Sequence, residues 1–319
     1  MKFGIIGYGS IGQRHVNNLI TLGQKDIVLL RKIGSSNRHN FVEFTEVQVF
    51  LDSQPDVVII ANPTSLHAEY LMQILDRNIH VMVEKPLVST MEELQSIENK
   101  IVNYTGIGMT AYNMRFHPCV KEAKRVIEND LLGKIYSSRF FIGQYLPDWR
   151  PNADYKKSYS ANIGLGGGVL FDLIHEIDIA YYLLGEPLSA IKSEIAKVSK
   201  LNIETEDLAE ILYRTKNNNF ISIHLDYLTR GYKRYIEIIG EKGSFFADLH
   251  SNKINILSES GDKKEISFPK FLKNDMYLSI IKSFIKTIKN KSTPSITLQE
   301  GLVSNRIAIQ IRNQYYGKI

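Results

Sequence analysis

The chain has 319 residues, of which 44% are hydrophobic and 23% charged, and its formal net charge is +5 at pH 7. It is long enough for about two domains of roughly 100–200 residues each, and its composition excludes a largely disordered chain. No apolar run reaches the roughly 20 residues of a membrane span, and the single cysteine, Cys119, excludes an internal disulfide and a cysteine-cluster metal site. The scattered basic residues and the lack of a secretory signal predict a cytoplasmic protein that binds neither nucleic acid nor a membrane.

Strand and helix signals alternate over the first hundred residues. The run Asp56–Ala61 (DVVIIA) is unbroken and rich in β-branched residues, which is typical of a strand covered on both faces. Strands that alternate with helices predict a parallel, doubly wound sheet with right-handed crossovers. The predicted strands are Lys2–Ile6, Asp26–Leu30, Asp56–Ala61 and Ile79–Val83, and the predicted helices are Ser10–Leu22, Ser65–Arg77 and Thr90–Tyr104.

After about residue 117 the pattern changes to strand-like runs that follow one another on short turns. Turn signals at Asn217–Asn219 and Gly240–Gly243 predict hairpins, and hence an antiparallel or mixed sheet. We therefore expect an α/β protein of two domains, residues 1–117 and 118–319. The predicted elements of the second part are helices Pro118–Asn129, Val169–Leu184, Asp275–Asn290 and Thr297–Tyr315, and strands Lys134–Ile142, Ile191–Val198, Leu208–Arg214, Phe220–Tyr227 and Tyr235–Ile239.

A glycine motif, GYGSIG, follows the first strand directly and opens the first helix. It fits the pattern G-x-G-x-x-G, in which Gly7 permits a tight turn, Gly9 lets a pyrophosphate approach, and Gly12 allows close helix–strand packing. The first amides of the helix would bind the phosphates. The motif predicts dinucleotide binding by Gly7, Tyr8, Gly9, Ser10, Ile11 and Gly12.

The end of the second strand bears on which nicotinamide coenzyme is bound. An acid about 20 residues beyond the glycines would bind the adenosine ribose and repel a 2′-phosphate. This chain has Arg31 and Lys32 there, with Ser35, Ser36 and Arg38 downstream. Cationic side chains match a phosphate, so the sequence favours NADP over NAD, with a solvated basic turn as the alternative.

A Glu-Lys-Pro step, Glu84 to Pro86, follows the strand Ile79–Val83. Ligands bind at the carboxyl ends of strands in such sheets, where Lys85 would hydrogen-bond a hydroxyl or carbonyl or stabilise a developing alkoxide. A cis bond at Pro86 would aim Lys85 into the cleft, whereas a simple surface turn is the alternative.

A third motif, GGGVLFDLIHEID, covers residues 166–178. Its glycines let the backbone pass near a ligand, and a helix is predicted from Val169. Asp172 and His175, three residues apart, would be neighbours on one face of that helix. His175 would exchange a proton with a hydroxyl or carbonyl, and Asp172 would orient the imidazole or bind substrate. Asp178 is predicted to cap or pack.

Together the glycine motif, the EKP step, the segment NMRFHP (Asn113–Pro118) and GGG…HEID resemble the Gfo/Idh/MocA oxidoreductases, and Ile236–Leu249 resembles their hairpin. The resemblance implies an N-terminal Rossmann domain at 1–117. It also implies a C-terminal α+β domain at 118–319, which binds substrate and whose large, mostly antiparallel open sheet forms homodimers or homotetramers. It further implies that Lys85 is the catalytic lysine, that His175 is the acid/base, and that a sugar, cyclitol or nucleotide sugar exchanges a hydride with NAD(P).

Many family members carry an aspartate four positions before the histidine, where this chain has Phe171; Asp172 stands three before. The segments Asn62–His67 and Gln144–Pro151 are similar to members associated with bacterial surface-polysaccharide and nonulosonic-acid synthesis.

Further side chains are predicted to line the site. Asn62, Pro63, Thr64 and His67 follow a predicted strand, and Glu84 and Lys85 join them as coenzyme-binding candidates. The resemblance adds Asn113 to this set. The resemblance implies that Arg115 contacts nicotinamide or substrate. The other substrate-binding candidates are Tyr145, Trp149, Asp172 and His175, with Arg150 beside Trp149. A satellite hydrophobic cluster is the alternative for the aromatic loop that holds Tyr145 and Trp149. The other histidines show no metal-ligand spacing, so we expect no metal site.

Three functions compete. The leading one is an NAD(P)-dependent dehydrogenase or reductase. The second is a glycosidase- or epimerase-like enzyme that uses tightly bound NAD transiently with no net redox change. The third is a non-catalytic protein that senses the coenzyme, which the presence of both Lys85 and His175 disfavours.

Overall fold

The computed structural model describes residues 1–32, 40–149, 151, 154–188 and 190–317. These form two compact units, Met1–Asn113 with Lys273–Arg306, and Met114–Leu272 with Ile307–Ile319. The segment Lys273–Arg306 thus belongs with the N-terminal unit. The functional division at residue 117 stays a prediction.

The N-terminal unit is built on a six-stranded, all-parallel sheet in the order β3-β2-β1-β4-β5-β6. Its central strands are buried along their whole length, because helices cover both faces of such a sheet. This confirms the predicted doubly wound fold. The strands are β1 Phe3–Ile6, β2 Ile27–Leu30, β3 Val42–Phe44, β4 Val57–Ile60, β5 His80–Val83 and β6 Gly108–Thr110.

The C-terminal unit contains an eight-stranded sheet in the order β14-β13-β12-β11-β7-β10-β9-β8. All neighbours are antiparallel except β7 and β10, which run parallel, so the predicted mostly antiparallel sheet is confirmed. The strands are β7 Ile135–Gly143, β8 Lys192–Ala196, β9 Leu208–Arg214, β10 Phe220–Asp226, β11 Lys233–Gly240, β12 Gly243–Asp248, β13 Lys253–Ser258 and β14 Lys263–Ser267.

Most helices lie within a few residues of their predicted bounds. In α4, a capping box explains the start, since the Thr90 hydroxyl accepts the Glu93 amide while the Glu93 carboxylate accepts the Thr90 amide. The helices are α1 Ser10–Thr21, α2 Val47–Asp52, α3 His67–Asp76, α4 Met91–Ile101, α5 Pro118–Glu128, α6 Val169–Asp172, α7 His175–Leu184, α8 Lys273–Asn290 and α9 Leu298–Tyr316. No helix among the described residues is both long and apolar enough to cross a membrane.

The single helix predicted over Val169–Leu184 is wrong, because the structure breaks it into α6 and α7. Leu173 ends α6 with φ −101° and ψ 22°, outside the helical region. Both turn residues, Leu173 and Ile174, are buried apolar side chains, so the hydrophobic pattern continues through the break. Asp172 is therefore the last residue of one helix and His175 the first of the next, rather than neighbours on one helix face.

Candidate active site

The glycine turn after β1 has the geometry that a dinucleotide requires. Gly7 adopts φ +89°, and a Cβ on Gly12 would come closer than 3.0 Å to the Gly7 carbonyl oxygen, so both positions require glycine. A Cβ on Gly9 would meet nothing within 4 Å. The first backbone bond of α1 joins the Gln13 amide to the Gly9 carbonyl, so the amides before it point out of the helix end. Open space over Gly9 and these amides fit a pyrophosphate.

The other residues of the motif lie around this turn. Ser10 is exposed, and Tyr8 and Ile11 are half-buried. The Tyr8 carbonyl accepts a hydrogen bond from the side-chain Nε2 of Gln13 at 3.1 Å. The guanidinium of Arg31 lies over the Tyr8 ring, with its carbon 5.4 Å from the ring centre. The end of β2 is thus in contact with the glycine turn.

Arg31 is engaged by an acid that the sequence analysis did not identify. Its Nε and Nη2 donate to the two carboxylate oxygens of Glu43 at 2.8 and 2.9 Å. Lys32 beside it is exposed. The predicted phosphate-binding residues Ser35, Ser36 and Arg38 lie outside the described residues.

At the end of β5, the EKP step is tied to the helix of the glycine motif. Glu84 Oε1 lies 2.7 Å from Nε2 of the fully buried His15, and Glu84 Oε2 accepts the Lys85 amide at 3.2 Å. Burial by itself raises the pKa of Glu84, but the His15 hydrogen bond and the charges of His15 and Lys85 outweigh it and hold that pKa below its ordinary value. Lys85 is half-buried, and the Lys85–Pro86 peptide bond is cis.

His67 connects the EKP step to the end of β4. It is the first residue of α3, and its Nδ1 lies 2.8 Å from the Pro86 carbonyl oxygen while Nε2 lies 2.9 Å from that of Asn62. Burial lowers the pKa of His67 despite these two contacts. The Asn62 Oδ1 atom is buried without a hydrogen-bond partner among the described residues, which suits an atom that meets a bound coenzyme. Pro63 is exposed, and Thr64 is buried in a short 3-10 turn.

Asn113 is 4% exposed, at the end of the first segment of the N-terminal unit. Tyr277 on α8 lies near this side chain, and the guanidinium carbon of Arg14 on α1 lies 4.6 Å from the centre of the Tyr277 ring. Burial raises the pKa of Tyr277. Nothing in the sequence pattern singles out Tyr277, because its partners lie far away along the chain.

In the C-terminal unit, a buried acid shapes the triple-glycine turn. Gly168 adopts φ +113°, and a Cβ there would come closer than 3.0 Å to the Glu206 carboxylate. Glu206 Oε1 accepts the Leu170 amide at 3.2 Å, and Oε2 accepts the hydroxyl of Tyr316 at 2.8 Å. Burial raises the pKa of Glu206. The Arg312 guanidinium also donates to the Gly167 carbonyl at 3.1 Å.

Asp172 and Trp149, both predicted site residues, meet at one buried tyrosine. Tyr227 donates its hydroxyl to Asp172 Oδ2 at 2.7 Å, and the Trp149 ring packs edge-on against Tyr227 with 5.3 Å between centres. Burial and the Asp172 charge raise the pKa of Tyr227 well above its ordinary value. His175 is half-buried at the start of α7. Tyr227 was missed because it lies 55 residues from its partner.

Tyr145 lies in a loop fixed to the segment that follows β10. Its amide donates to the Thr229 carbonyl at 2.8 Å, and the Arg230 guanidinium carbon lies 3.4 Å from its ring centre. Arg150 lies outside the described residues. Tyr145 is half-buried and Arg230 exposed, so a cation and an aromatic face lie together at the surface of this unit.

Arg115 lies in a buried ion pair. Its Nη2 and Nε donate to the two carboxylate oxygens of Asp178 at 2.7 and 2.9 Å, and its guanidinium carbon lies 4.7 Å from the centre of the Tyr182 ring. Both partners of the pair are nearly inaccessible to solvent. The substrate-binding role of Arg115 stays a prediction.

Comparisons with known proteins place this architecture in a family. Residues 1–105 match the oxidoreductase family with an NAD-binding Rossmann fold, and residues 120–246 match the GFO/IDH/MocA C-terminal domain. The chain is 26% identical to myo-inositol 2-dehydrogenase of Thermotoga maritima over 94% of this chain and 92% of the relative.

Solved structures show the same fold. Levoglucosan dehydrogenase in complex with NADH has a TM-score of 0.88 at 22% identity, over 99% of this chain and 97% of that chain. UDP-N-acetylglucosamine 3-dehydrogenase from Acidithiobacillus ferrooxidans has a TM-score of 0.79 at 18% identity, over 98% of this chain and 96% of that chain. With its Rossmann unit, its glycine turn and both family domains in order, the chain belongs to the Gfo/Idh/MocA family and is an NAD(P)-dependent oxidoreductase acting on CH–OH groups.

Proposed function

We propose that this protein moves a hydride between nicotinamide and a hydroxyl or carbonyl carbon of a sugar, cyclitol or nucleotide sugar, with Lys85 and His175 as its catalytic residues. The observation that carries the proposal is the glycine turn, whose open space over Gly9 fits a pyrophosphate. The EKP step is tied to that turn through His15 and Glu84. When bound, the nicotinamide ring accepts or supplies the hydride.

Lys85 acts on the reacting oxygen. Its ammonium group donates a hydrogen bond to the substrate oxygen and stabilises the negative charge that develops there. Glu84 bonds the Lys85 amide and remains ionised, which holds this part of the backbone in place. The remaining predicted coenzyme-binding residues of the unit, from the glycine turn to Asn113, follow the carboxyl ends of β1, β2, β4, β5 and β6, either in the turns or at the starts of the helices that come next.

His175 moves the proton. As the hydroxyl carbon loses its hydride, the imidazole takes the hydroxyl proton, and in the reverse direction it returns it. Asp172 binds a substrate hydroxyl or orients the imidazole, and the Tyr227 hydroxyl fixes the position of its carboxylate.

The substrate is a polyhydroxylated ring. Relatives are named for myo-inositol and levoglucosan, and a structural neighbour for UDP-N-acetylglucosamine, which supports cyclitol, sugar and nucleotide-sugar candidates. Tyr145 and Trp149 supply aromatic faces for such a ring, and Arg115 completes the predicted substrate-binding set. The resemblance of two segments to surface-polysaccharide enzymes makes nucleotide sugars the first class to screen.

We further propose a cytoplasmic homodimer or homotetramer that assembles through the C-terminal sheet. Strand register places several exposed apolar side chains on one face of that sheet, the face opposite the buried residues. An apolar face of this kind is typical of a subunit interface. These side chains are Leu212, Phe220, Ile239, Phe246 and Leu257. Sedimentation analysis of the wild type and of Phe246→Lys tests the assembly.

The test of function is coenzyme titration followed by a screen of cyclitols, free sugars and nucleotide sugars, read by the absorbance of reduced nicotinamide. Lys85→Ala and His175→Ala are expected to lower kcat by at least about 100-fold. Lys286→Ala and His250→Asn remove the same side-chain types at exposed positions and should leave kcat unchanged. Wild-type turnover by Lys85→Ala would refute its assignment.

The same experiment separates the alternatives. Coenzyme that stays bound through purification, with turnover but no net change in reduced nicotinamide, would favour the cycle without net redox change. Coenzyme binding without turnover of any substrate would favour a sensing protein.

A further inference from the structure

Arg31 directly follows the carboxyl end of β2, where the coenzyme's adenosine ribose is expected, and it forms an ion pair with Glu43 of β3. The pair is bidentate, and the side chains are 8% exposed for Arg31 and 31% for Glu43. Arg31 also lies over Tyr8 of the glycine turn. A bidentate guanidinium–carboxylate pair is among the stronger polar contacts in proteins, so it fixes the orientation of both groups.

Strand register explains why these two residues meet. In the parallel pair β2–β3, Leu29 lies beside Glu43, and the Arg31 amide donates to the Phe44 carbonyl. Side chains two residues apart on a strand share a face, so Arg31 projects on the same side as Leu29 and Glu43. The guanidinium therefore folds back along the sheet to the acid on the neighbouring strand.

This pairing weakens the electrostatic argument that the basic residues after β2 favour NADP. A 2′-phosphate carries close to two negative charges, and a lone arginine would attract it. Here Glu43 neutralises the arginine charge. A 2′-phosphate bound at Arg31 would lie near the Glu43 carboxylate, and the repulsion between these two negative groups disfavours its binding. A ribose 2′-hydroxyl carries no charge and meets no such repulsion.

We propose that Glu43 is a specificity-determining residue that makes the protein prefer NAD over NADP. The inference rests on the proposed binding of a nicotinamide coenzyme at the glycine turn. Glu43 acts by neutralising Arg31 and by keeping a carboxylate within hydrogen-bond distance of the guanidinium that would otherwise bind the phosphate. It performs from β3 the discrimination that an acid at the end of β2 performs in other dinucleotide-binding folds.

The opposite role for Glu43 predicts the opposite result. In the opposite role, the same bidentate pair would hold the Arg31 guanidinium in an orientation that binds a phosphate. If Glu43 served to orient Arg31 toward a phosphate, its removal would weaken NADPH binding. The sign of the change in NADPH affinity therefore decides between the two roles.

The experiment is a fluorescence titration of the wild type and of Glu43→Gln with NADH and with NADPH. We expect the wild type to bind NADH at least about 10-fold more tightly, and Glu43→Gln to bind NADPH about 10- to 100-fold more tightly than the wild type does. Glu46→Gln removes an equal charge from an exposed position three residues away. This control should leave the ratio of NADH affinity to NADPH affinity at its wild-type value. In the double variant Arg31→Gln, Glu43→Gln, the gain in NADPH affinity should disappear.

Three results would overturn the inference. The first is a wild type that prefers NADPH, and the second is a Glu43→Gln variant whose NADPH binding is unchanged or weaker. The third is a Glu46→Gln variant that gains as much NADPH affinity as Glu43→Gln does. Failure of the proposed function looks different, since a protein without a coenzyme site would bind neither NADH nor NADPH in any variant. Thermal unfolding of each variant verifies that the fold is intact, as expected for substitution of the partly exposed Glu43 side chain.

Discussion

Alanine substitutions at Gly9 and Gly12 separate coenzyme binding from folding. At Gly9, φ is −73° and a Cβ meets nothing within 4 Å, so alanine fits the folded chain without strain. We expect the free energy of unfolding of Gly9→Ala to stay the same or to rise by up to about 1 kcal/mol, because alanine restricts the unfolded chain. The added methyl group occupies the space that fits the pyrophosphate, so NADH affinity should fall by at least about 10-fold, or about 1.4 kcal/mol.

Gly12→Ala is the matched contrast. Its Cβ would lie closer than 3.0 Å to the Gly7 carbonyl oxygen, a backbone atom that moves only with the turn. Relief of such a clash costs about 1–3 kcal/mol, so this variant should lose both stability and coenzyme affinity. Urea unfolding and NADH titration measure the two quantities on the same preparations. Wild-type NADH affinity in Gly9→Ala would refute the assignment of the pyrophosphate to the space over Gly9.

Two further predictions concern buried hydrogen bonds. His15→Ala should lower the free energy of unfolding by about 1.5–3 kcal/mol at neutral pH, because Glu84 loses its partner. The depressed pKa of Glu84 contributes stability above its ordinary value of 4.5, so the difference from wild type in urea unfolding should shrink as pH falls through the folded-state pKa. If the difference in unfolding free energy between wild type and His15→Ala did not change with pH, the loss would come from the cavity left by the imidazole and not from the Glu84 hydrogen bond. Tyr227→Phe should lower kcat/KM by about 10-fold, since the hydroxyl that fixes Asp172 is lost, and an unchanged value would show that Asp172 needs no such contact.

The sequence predicted those parts of the fold whose signal lies within a short stretch of neighbouring residues. The run Asp56–Ala61 predicted β4 because a strand buried on both faces needs an unbroken apolar run. The glycine motif predicted the turn because its two tight contacts exclude any side chain at Gly7 and Gly12. Short strands such as β3 and β6 were missed, since three residues carry too little periodicity to stand out.

Partners from distant segments could not be predicted. Glu43, Glu206 and Tyr227 each meet a predicted site segment through tertiary contacts that leave no trace in spacing. The break between α6 and α7 was hidden for a related reason, since apolar residues fill the turn. The placement of Lys273–Arg306 with the first sheet likewise depends on packing rather than on any boundary signal.

The His67 ring has one consequence that follows from counting protons. A neutral imidazole carries a single N–H, yet both of its nitrogens face carbonyl oxygens, those of Asn62 and Pro86. In that neutral form, one carbonyl is bonded at any moment and the other faces a lone pair. A change of tautomer transfers the bond from one loop to the other with no rotation of the ring, so the loops after β4 and β5 share one proton between them.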